Sequence, residues 1–337
     1  TILTLSLFTF LYWFYAAGAG FEAALVTCVS VIIIACPCAL ALATPIASVI
    51  GLYAAAKKGA IFKSSSFLET IAKADMLVVD KTGTLTEGKP KVVSTQEFGG
   101  YDKGALAALA ASSRHPVSEA IAAFVDAAPR AIDGVKEIRS KGLEAMSEGK
   151  RIVGGNLEYL AEHGVKCDFE SQKTVFGYAE EGELKAIFEL EDKIKAGAKE
   201  TIQKVKAHGL RVVMLTGDNE KAAATVAAQL GIEEYKSKMT PQEKLDFIDS
   251  AQKNKNVVIM AGDGINDSLA LARADIGVAM ASGAEINLQT SDIILLKNSL
   301  PELGDAIFLG RKTYGTIKQN IAISIVYNAI TIPLAMA

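Results

Sequence analysis

The sequence has little cysteine, and what it has is badly placed for disulfide bonding. Of four cysteines in 337 residues, Cys36 and Cys38 lie inside an uncharged apolar segment, Cys28 precedes them, and Cys167 stands far away. No disulfide framework follows, and a reduced compartment is the simpler reading. Basic excess is missing too: 35 Lys and Arg face 38 Asp and Glu, so charge gives no reason to expect a nucleic-acid partner. The chain starts at Thr1 without an initiating Met, a basic leader or a small-residue cleavage site, which argues against a signal peptide. Internal repeats and low-complexity tracts are absent as well.

What is present is an uneven distribution of apolar residues. Thr1–Ala17 and Ala23–Ala56 carry no formal charge, and Ile321–Ala337 is apolar again. A bilayer requires roughly 20 apolar residues of helix. The second run exceeds this, the first is marginal and reads as a helix cut at its front, and the last reads as a helix still running where the sequence stops. Lys57, Lys58 and Lys63 follow the second run, while Arg311, Lys312 and Lys318 precede the last. Basic flanks stay cytoplasmic, so the expectation is a multi-pass membrane protein whose soluble middle faces the cytoplasm. Gly18–Glu22, without Lys or Arg, suits a short turn on the other side.

The middle has the pattern of an open α/β sheet. Apolar runs at Met76–Val79, Val212–Leu215 and Val257–Ala261 each end in an acidic, glycine-containing turn, at Asp80, Asp218 and Asp263. Helical patterns at Lys195–Ala207, Lys221–Leu230 and Lys244–Gln252 separate or follow them. In a doubly wound parallel sheet ligands gather beyond the carboxyl ends of the strands, so the three acidic turns are expected to meet. Helical patterns at Lys103–Ser112 and Val117–Ala127, then short strands near Val135–Ile138, Arg151–Val153 and Val175–Ala179, interrupt this order and suggest an inserted domain. The expected division is two membrane helices over 1–62, a doubly wound α/β domain over 63–93 and 189–312, an α+β insert over 94–188, and a membrane helix over 313–337.

The densest motif is Asp80-Lys81-Thr82-Gly83-Thr84-Leu85-Thr86. A carboxylate exposed at a strand end can attack a γ-phosphoryl group and form an acyl phosphate. This run resembles the phosphorylation signature of P-type ATPases, within the haloacid dehalogenase superfamily. Phosphatases of that superfamily carry an Asp two residues after the nucleophile as general acid and base. Thr82 stands here and cannot supply that protonation at neutral pH, so a persistent phosphoenzyme is expected. Gly262-Asp263-Gly264-Ile265-Asn266-Asp267 offers carboxylates and an amide in a tight turn, suited to Mg²⁺. The resemblance implies Mg²⁺ at Asp80, Thr82, Asp263 and Asp267, supported by Asn266. It also implies that Thr216-Gly217-Asp218-Asn219 contacts the transferred phosphoryl group and that Lys244 neutralises its charge.

In the insert, Ser113-Arg114-His115-Pro116 resembles the nucleotide signature of the heavy-metal class of P-type ATPases, with His115 and Pro116 at the adenine. Gly142, Gly155 and Asn156 would let backbone approach ATP closely. Two positions depart from the family pattern: Ser140 replaces a common glycine and Ala110 a common glutamate. Cys36-Pro37-Cys38 places two soft ligands at a proline that unwinds a membrane helix, which suits Cu(I) and also Zn²⁺ or Cd²⁺. Tyr327-Asn328 resembles the pair of copper-transporting members. The implied activity is ATP-driven export of a soft metal, Cu(I) favoured over Zn²⁺ or Cd²⁺, with a copper chaperone among the implied partners. A membrane-tethered phosphatase or a non-catalytic metal-binding fragment are the competing classes. No Thr-Gly-Glu actuator segment and no amino-terminal Cys-x-x-Cys module occur in the sequence.

Overall fold

A computed structural model describes residues 2–35, 38–138, 141–171, 173–263, 267–281 and 289–336, with 38–41 described by backbone alone. Cys36, Ser140, Asn266 and the Cys38 side chain therefore lie outside what is described. The chain begins with helices α1 (Ile2–Leu11), continued by a π-turn at Tyr12–Ala16, and α2 (Gly20–Ile34). Helix α3 (Cys38–Lys58) follows and delivers the chain through β1 (Ala60–Phe62) and α4 (Ser66–Lys73) to β2 (Met76–Asp80). The long uncharged run read as one membrane segment is thus two helices, α2 ending before Ala35 and α3 starting at Cys38.

Strand β2 is Met-Leu-Val-Val-Asp, buried at every position. A continuous apolar run of this kind belongs to a strand covered on both faces. After it the chain leaves for the insert and returns through α8 (Ala198–Ala207), β9 (Arg211–Leu215), α9 (Glu220–Leu230), β10 (Glu234–Lys236), α10 (Pro241–Lys253), β11 (Val258–Gly262), α11 (Ser268–Arg273), β12 (Ile276–Met280) and β13 (Ile293–Leu295). The seven-stranded sheet has the order β1-β13-β12-β11-β2-β9-β10, and all its pairings are parallel except that of β1 with β13. Because β2 sits between β11 and β9, the turns after Asp80, Leu215 and Gly262 emerge side by side. Local sequence fixes the helices that flank them. Thr240 and Glu243 form a capping box with Pro241 at the first turn of α10, and Asn219 caps α9, which ends on left-handed Gly231.

The insert is a second, antiparallel sheet of β3 (Lys91–Glu97), β4 (Asp133–Ile138), β5 (Gly142–Ser147), β6 (Lys150–Gly155), β7 (Thr174–Glu180) and β8 (Glu183–Glu191), in the order β3-β8-β7-β6-β5-β4. It carries α5 (Lys103–Ala111), α6 (Pro116–Phe124) and α7 (Leu157–Glu162). Chain exit and re-entry are adjacent, since Lys91 of β3 pairs with Glu191 of β8 and Thr86 bridges Ile194. The two sheets have separate apolar cores, one around Leu77, Val79 and Ile259, the other around Leu106, Phe176 and Phe188.

Helix α12 (Leu300–Met336) is continuous over 37 residues, about 55 Å at 1.5 Å per residue. Its first part buries Leu303, Ala306, Ile307 and Gly310 in the core domain, and a Cβ at Gly310 would come within 2.2 Å of the Ile71 side chain in α4. Its last part exposes Ile323, Ile325, Val326, Ile330 and Leu334. Among the described residues it is the one helix long and apolar enough to cross a membrane, while Ile2–Ala16 and Gly20–Ile34 are shorter. The boundary at 313 is the expected start of the membrane helix. The helix itself begins thirteen residues earlier, because its amphipathic first part packs on the sheet domain. Trp13 Nε1 donates to the Met336 carbonyl at 2.9 Å, so the first helical hairpin reaches the far end of α12.

Candidate active site

Asp80 ends the central strand and is almost fully buried. The turn after it explains its motif. Thr82 (φ −75°, ψ 127°) and Gly83 (φ 72°, ψ −14°) have the angles of a type II turn, whose second corner favours glycine. Sterics add a second reason, for a Cβ on Gly83 would fall 1.6 Å from Oδ2 of Asp263. The Asp263 carboxylate can lie over the turn after Asp80 only because residue 83 has no side chain.

Three carboxylates converge there. Oxygens of Asp80, Asp263 and Asp267 lie within 4.8 Å of one another. Lys244, near the start of α10, reaches into the cluster and donates to Asp80 Oδ1 at 2.5 Å and Asp267 Oδ1 at 2.7 Å. Burial, and then the Asp267 charge, push the Asp80 carboxyl up to about 7 in spite of Lys244. Burial and Asp80 push Asp263 up to about 6. Lys244 is drawn down by burial, yet Asp80 and Asp267 outweigh that and raise it above the ordinary lysine value. One ammonium among three close carboxylates leaves negative charge uncompensated, and hard oxygen donors at this spacing suit a small divalent cation. The residues therefore fit a small divalent cation such as Mg²⁺, which Asp80, Asp263 and Asp267 would hold. Thr82 belongs to the same turn, and Asn266 lies outside the described residues.

Beside the cluster, the turn after β9 folds on itself. Thr216 Oγ1 donates to Asp218 Oδ2 at 3.1 Å and accepts from the Asp218 amide at 3.1 Å. Lys81 forms a close ion pair with Asp218. Thr216 is also held at both backbone groups, by Lys236 and Met239. The residues expected from the sequence to contact a phosphoryl group, Lys81, Thr216, Gly217, Asp218 and Lys244, thus lie at Asp80 and the neighbouring strand end.

His115 precedes α6 as its cap, accepting the Val117 amide at Nδ1 over 3.2 Å, with Pro116 at the first helical position. Its crowded surroundings push the imidazole down, while Asp218 acts in the opposite direction. His115 is thus within electrostatic range of Asp218. Gly142, Gly155 and Asn156 have a different local account from close nucleotide approach. Gly142 and Gly155 are register partners, and a Cβ on Gly142 would meet the Tyr159 ring at 2.6 Å and the Gly154 carbonyl at 2.4 Å. Asn156 caps α7 by accepting the Tyr159 amide at 2.7 Å. These residues seat buried Tyr159 against the sheet.

The transported-metal set is not brought together by what is described. Cys36 and the Cys38 side chain lie outside the described residues. Tyr327 is 58 % exposed on α12, and Asn328 is half-buried beside it.

Two residues that sequence reasoning passed over belong to this site. Lys195, read as the first residue of a helix, precedes α8 and points back to donate to the Gly83 carbonyl and, at 2.8 Å, to Asn298 Oδ1. Asp192 accepts from Thr86 Oγ1 at 2.5 Å and from the Gly88 and Lys89 amides at 3.1 and 3.2 Å, clasping the exit and return of the insert. The sequence offered one signal, a short polar stretch between an apolar strand and Gly197, whose φ of 76° delays the helix.

The comparisons agree with this geometry. Residues 74–275 match the family model of haloacid dehalogenase-like hydrolases. A copper-exporting P-type ATPase of Staphylococcus haemolyticus is 37 % identical over 99 % of the chain, which spans 44 % of that relative. A zinc-transporting PIB-type ATPase structure in its E2·Pi state covers 100 % of the chain and 58 % of its own, at TM-score 0.74 and 31 % identity. The catalytic CPx-ATPase domain CopB-B superposes at TM-score 0.61 and 32 % identity, over 76 % of this chain and 96 % of that one. With a nucleophile loop, acidic cluster and inserted second sheet in this order, the chain belongs to the haloacid dehalogenase-like hydrolase family and, within it, to the P-type ATPases.

Proposed function

We propose that this chain is the phosphorylation, nucleotide and partial membrane region of an ATP-driven exporter of a soft metal cation, with Cu(I) the favoured cargo. The observation that carries the proposal is the buried Asp80 carboxylate at the end of the central strand, in contact with Lys244 and beside Asp263 and Asp267. One Asp80 oxygen attacks the γ-phosphorus of ATP, the bond to the β,γ-bridging oxygen breaks, and ADP leaves. The product is an aspartyl phosphate. Lys244 stabilises the charge that develops on the transferred group, and Asp218, held by Thr216 and Lys81, shapes the opposite wall. Mg²⁺, when held by Asp80, Asp263 and Asp267, supplies charge neutralisation to the phosphoryl oxygens. Thr82 offers no proton at neutral pH, so a tethered phosphatase is disfavoured and the acyl phosphate persists. His115 and Pro116 would face the adenine.

The cargo reading rests on Cys36-Pro37-Cys38 and Tyr327-Asn328, on the soft-ligand preference of thiolates, and on the copper-exporting relative. The zinc-transporting structural relative supports zinc or cadmium as the second reading. A membrane location with a cytoplasmic catalytic region is supported by α12 and its basic flank, and a metal-donating chaperone is the partner such a pump would use. The test is phosphoenzyme formation from γ-labelled ATP in the full-length protein, with Cu(I), Zn²⁺ or Cd²⁺ supplied in turn. Hydroxylamine-labile label that depends on Cu(I), and is lost in Asp80→Asn and Cys36→Ala, is the expected result. Label with divalent ions alone would move the cargo to zinc or cadmium, and no Asp80-dependent label would end the proposal.

A further inference from the structure

Lys195 is a buried lysine with no carboxylate partner at ion-pair distance among the described residues. It is 8 % exposed, and its ammonium donates to the Gly83 carbonyl and to Asn298 Oδ1. A buried lysine is costly unless paired, and nothing in the phosphoryl-transfer steps uses this one directly. Its location accounts for it. Gly83 is the second corner of the turn after Asp80. On one side of Gly83 lies the Asp263 carboxylate, occupying the space a Cβ would need, and the Gly83 carbonyl is gripped by Lys195. The lysine charge also acts favourably on Asp263 and Asp192. Its remaining acceptor, Asn298, has φ 54° in the turn between β13 and α12. The same turn is tied by buried Glu302, which accepts the Lys297 amide at 3.0 Å.

We propose that Lys195 is a positioning residue of the phosphoryl-transfer site, fixing the Gly83 turn and the overlying Asp263 against Asp80 and anchoring that turn to Asn298 at the root of α12. The inference rests on the phosphoryl-transfer reading of the site. Without the lysine, the Gly83 carbonyl loses its donor and the turn its tie to Asn298. With arginine, a cation and several donors remain. The consequence concerns the chemical step and the metal site, and leaves the nucleotide surface on the insert untouched.

The experiment compares Lys195→Gln, Lys195→Arg and Asn298→Ala with wild type and Asp80→Asn in the full-length protein. Three quantities are read: the single-turnover rate of Asp80 labelling at saturating ATP, the concentration of ATP giving half that rate, and Mg²⁺ affinity from the thermal shift without nucleotide. Lys195→Gln is expected to slow labelling at least tenfold and weaken Mg²⁺ binding several-fold, with half-saturating ATP unchanged within twofold. Lys195→Arg should recover most of the rate, and Asn298→Ala should fall between. Labelling by Lys195→Gln at the wild-type rate, or tighter Mg²⁺ binding in that variant, overturns the inference. A Lys195→Gln protein that fails to fold shifts the decision to the other two variants, and equal, wild-type behaviour of both overturns it. Absence of label in wild type itself would instead remove the phosphoryl-transfer reading.

Discussion

At the scale of single residues, the site depends on one missing side chain and on carboxylates held under repulsion. Gly83→Ala would force a side chain onto left-handed backbone and into the Asp263 carboxylate, at a cost of about 1–3 kcal/mol from strain. The expected outcome is loss of Asp80 labelling with nucleotide binding to the insert retained, checked by labelled ATP and a fluorescent nucleotide in parallel. Titration gives a second expectation. Asp80 and Asp263 are pushed up to about 7 and 6, by burial first and then by neighbouring carboxylates. A carboxyl whose pKa is raised on folding binds its proton more tightly in the folded state. Its stabilising contribution is complete below the unfolded value near 4 and is lost as pH rises through the folded value. In chelator, therefore, the melting temperature of the catalytic region should climb as pH falls from 8 to about 5. The slope should flatten in Asp80→Asn/Asp263→Asn, and Mg²⁺ at pH 8 should restore part of the difference. A melting temperature that drops over the same interval would contradict the sign.

At the scale of elements, legibility tracked how strongly a segment declared its period. The buried strands ending at Asp80, Leu215 and Gly262 are plain as apolar runs, and the sequence pattern alone predicts that their acidic turns meet. Strands β3, β5 and β8 are not legible as strands, because Lys91–Glu97, Gly142–Ser147 and Glu183–Glu191 mix apolar residues with small, polar and charged ones. The start of α12 was hidden for the opposite reason, its first turns being amphipathic and its last ones apolar. The polar stretch before Gly197 marks where Lys195 lies, but its role is not legible there, since it comes from a carbonyl 112 positions away. The insert has its own electrostatic dependence. Glu144 of β5 meets Lys136 of β4 at 3.2 Å, Arg151 of β6 at 2.7 Å and His163 at 3.1 Å. Hydrogen bonds from Arg151, then Lys136, hold its carboxyl down to about 2. A depressed carboxyl stabilises above its unfolded value near 4.5, and the contribution disappears as pH falls toward 2. Glu144→Gln should leave acid unfolding of the insert less steep between pH 4.5 and 2, followed by tryptophan-independent far-UV circular dichroism.

At the scale of the whole molecule, α12 belongs both to the sheet domain and to the apolar helices, and α3 accompanies it, burying Ala55 in the sheet-domain core. The root of α12 is fastened to the catalytic side through Asn298 and Lys195. Arg311 lower down donates to the ends of two core helices, at the Ala74 carbonyl over 2.9 Å and at the His208 carbonyl. Beyond Lys318 its side chains are largely apolar and exposed, and α3 packs along it, with Thr313 filling the space that a Cβ on Gly51 would need. A rigid rod of this length passes a displacement at one end to the other only while its hydrogen-bond ladder is unbroken. Proline within a helix removes one bond and collides with the preceding turn, at about 3 kcal/mol. Thr316 is exposed and lies between the packed and the apolar halves. Thr316→Pro should therefore spare nucleotide binding and Asp80 chemistry, while labelling becomes independent of the cargo metal proposed above. The control is Thr316→Ala, which keeps the ladder and should keep metal dependence. If the proline variant retains full metal stimulation of its phosphoenzyme, α12 is not the path by which the two ends of this molecule communicate.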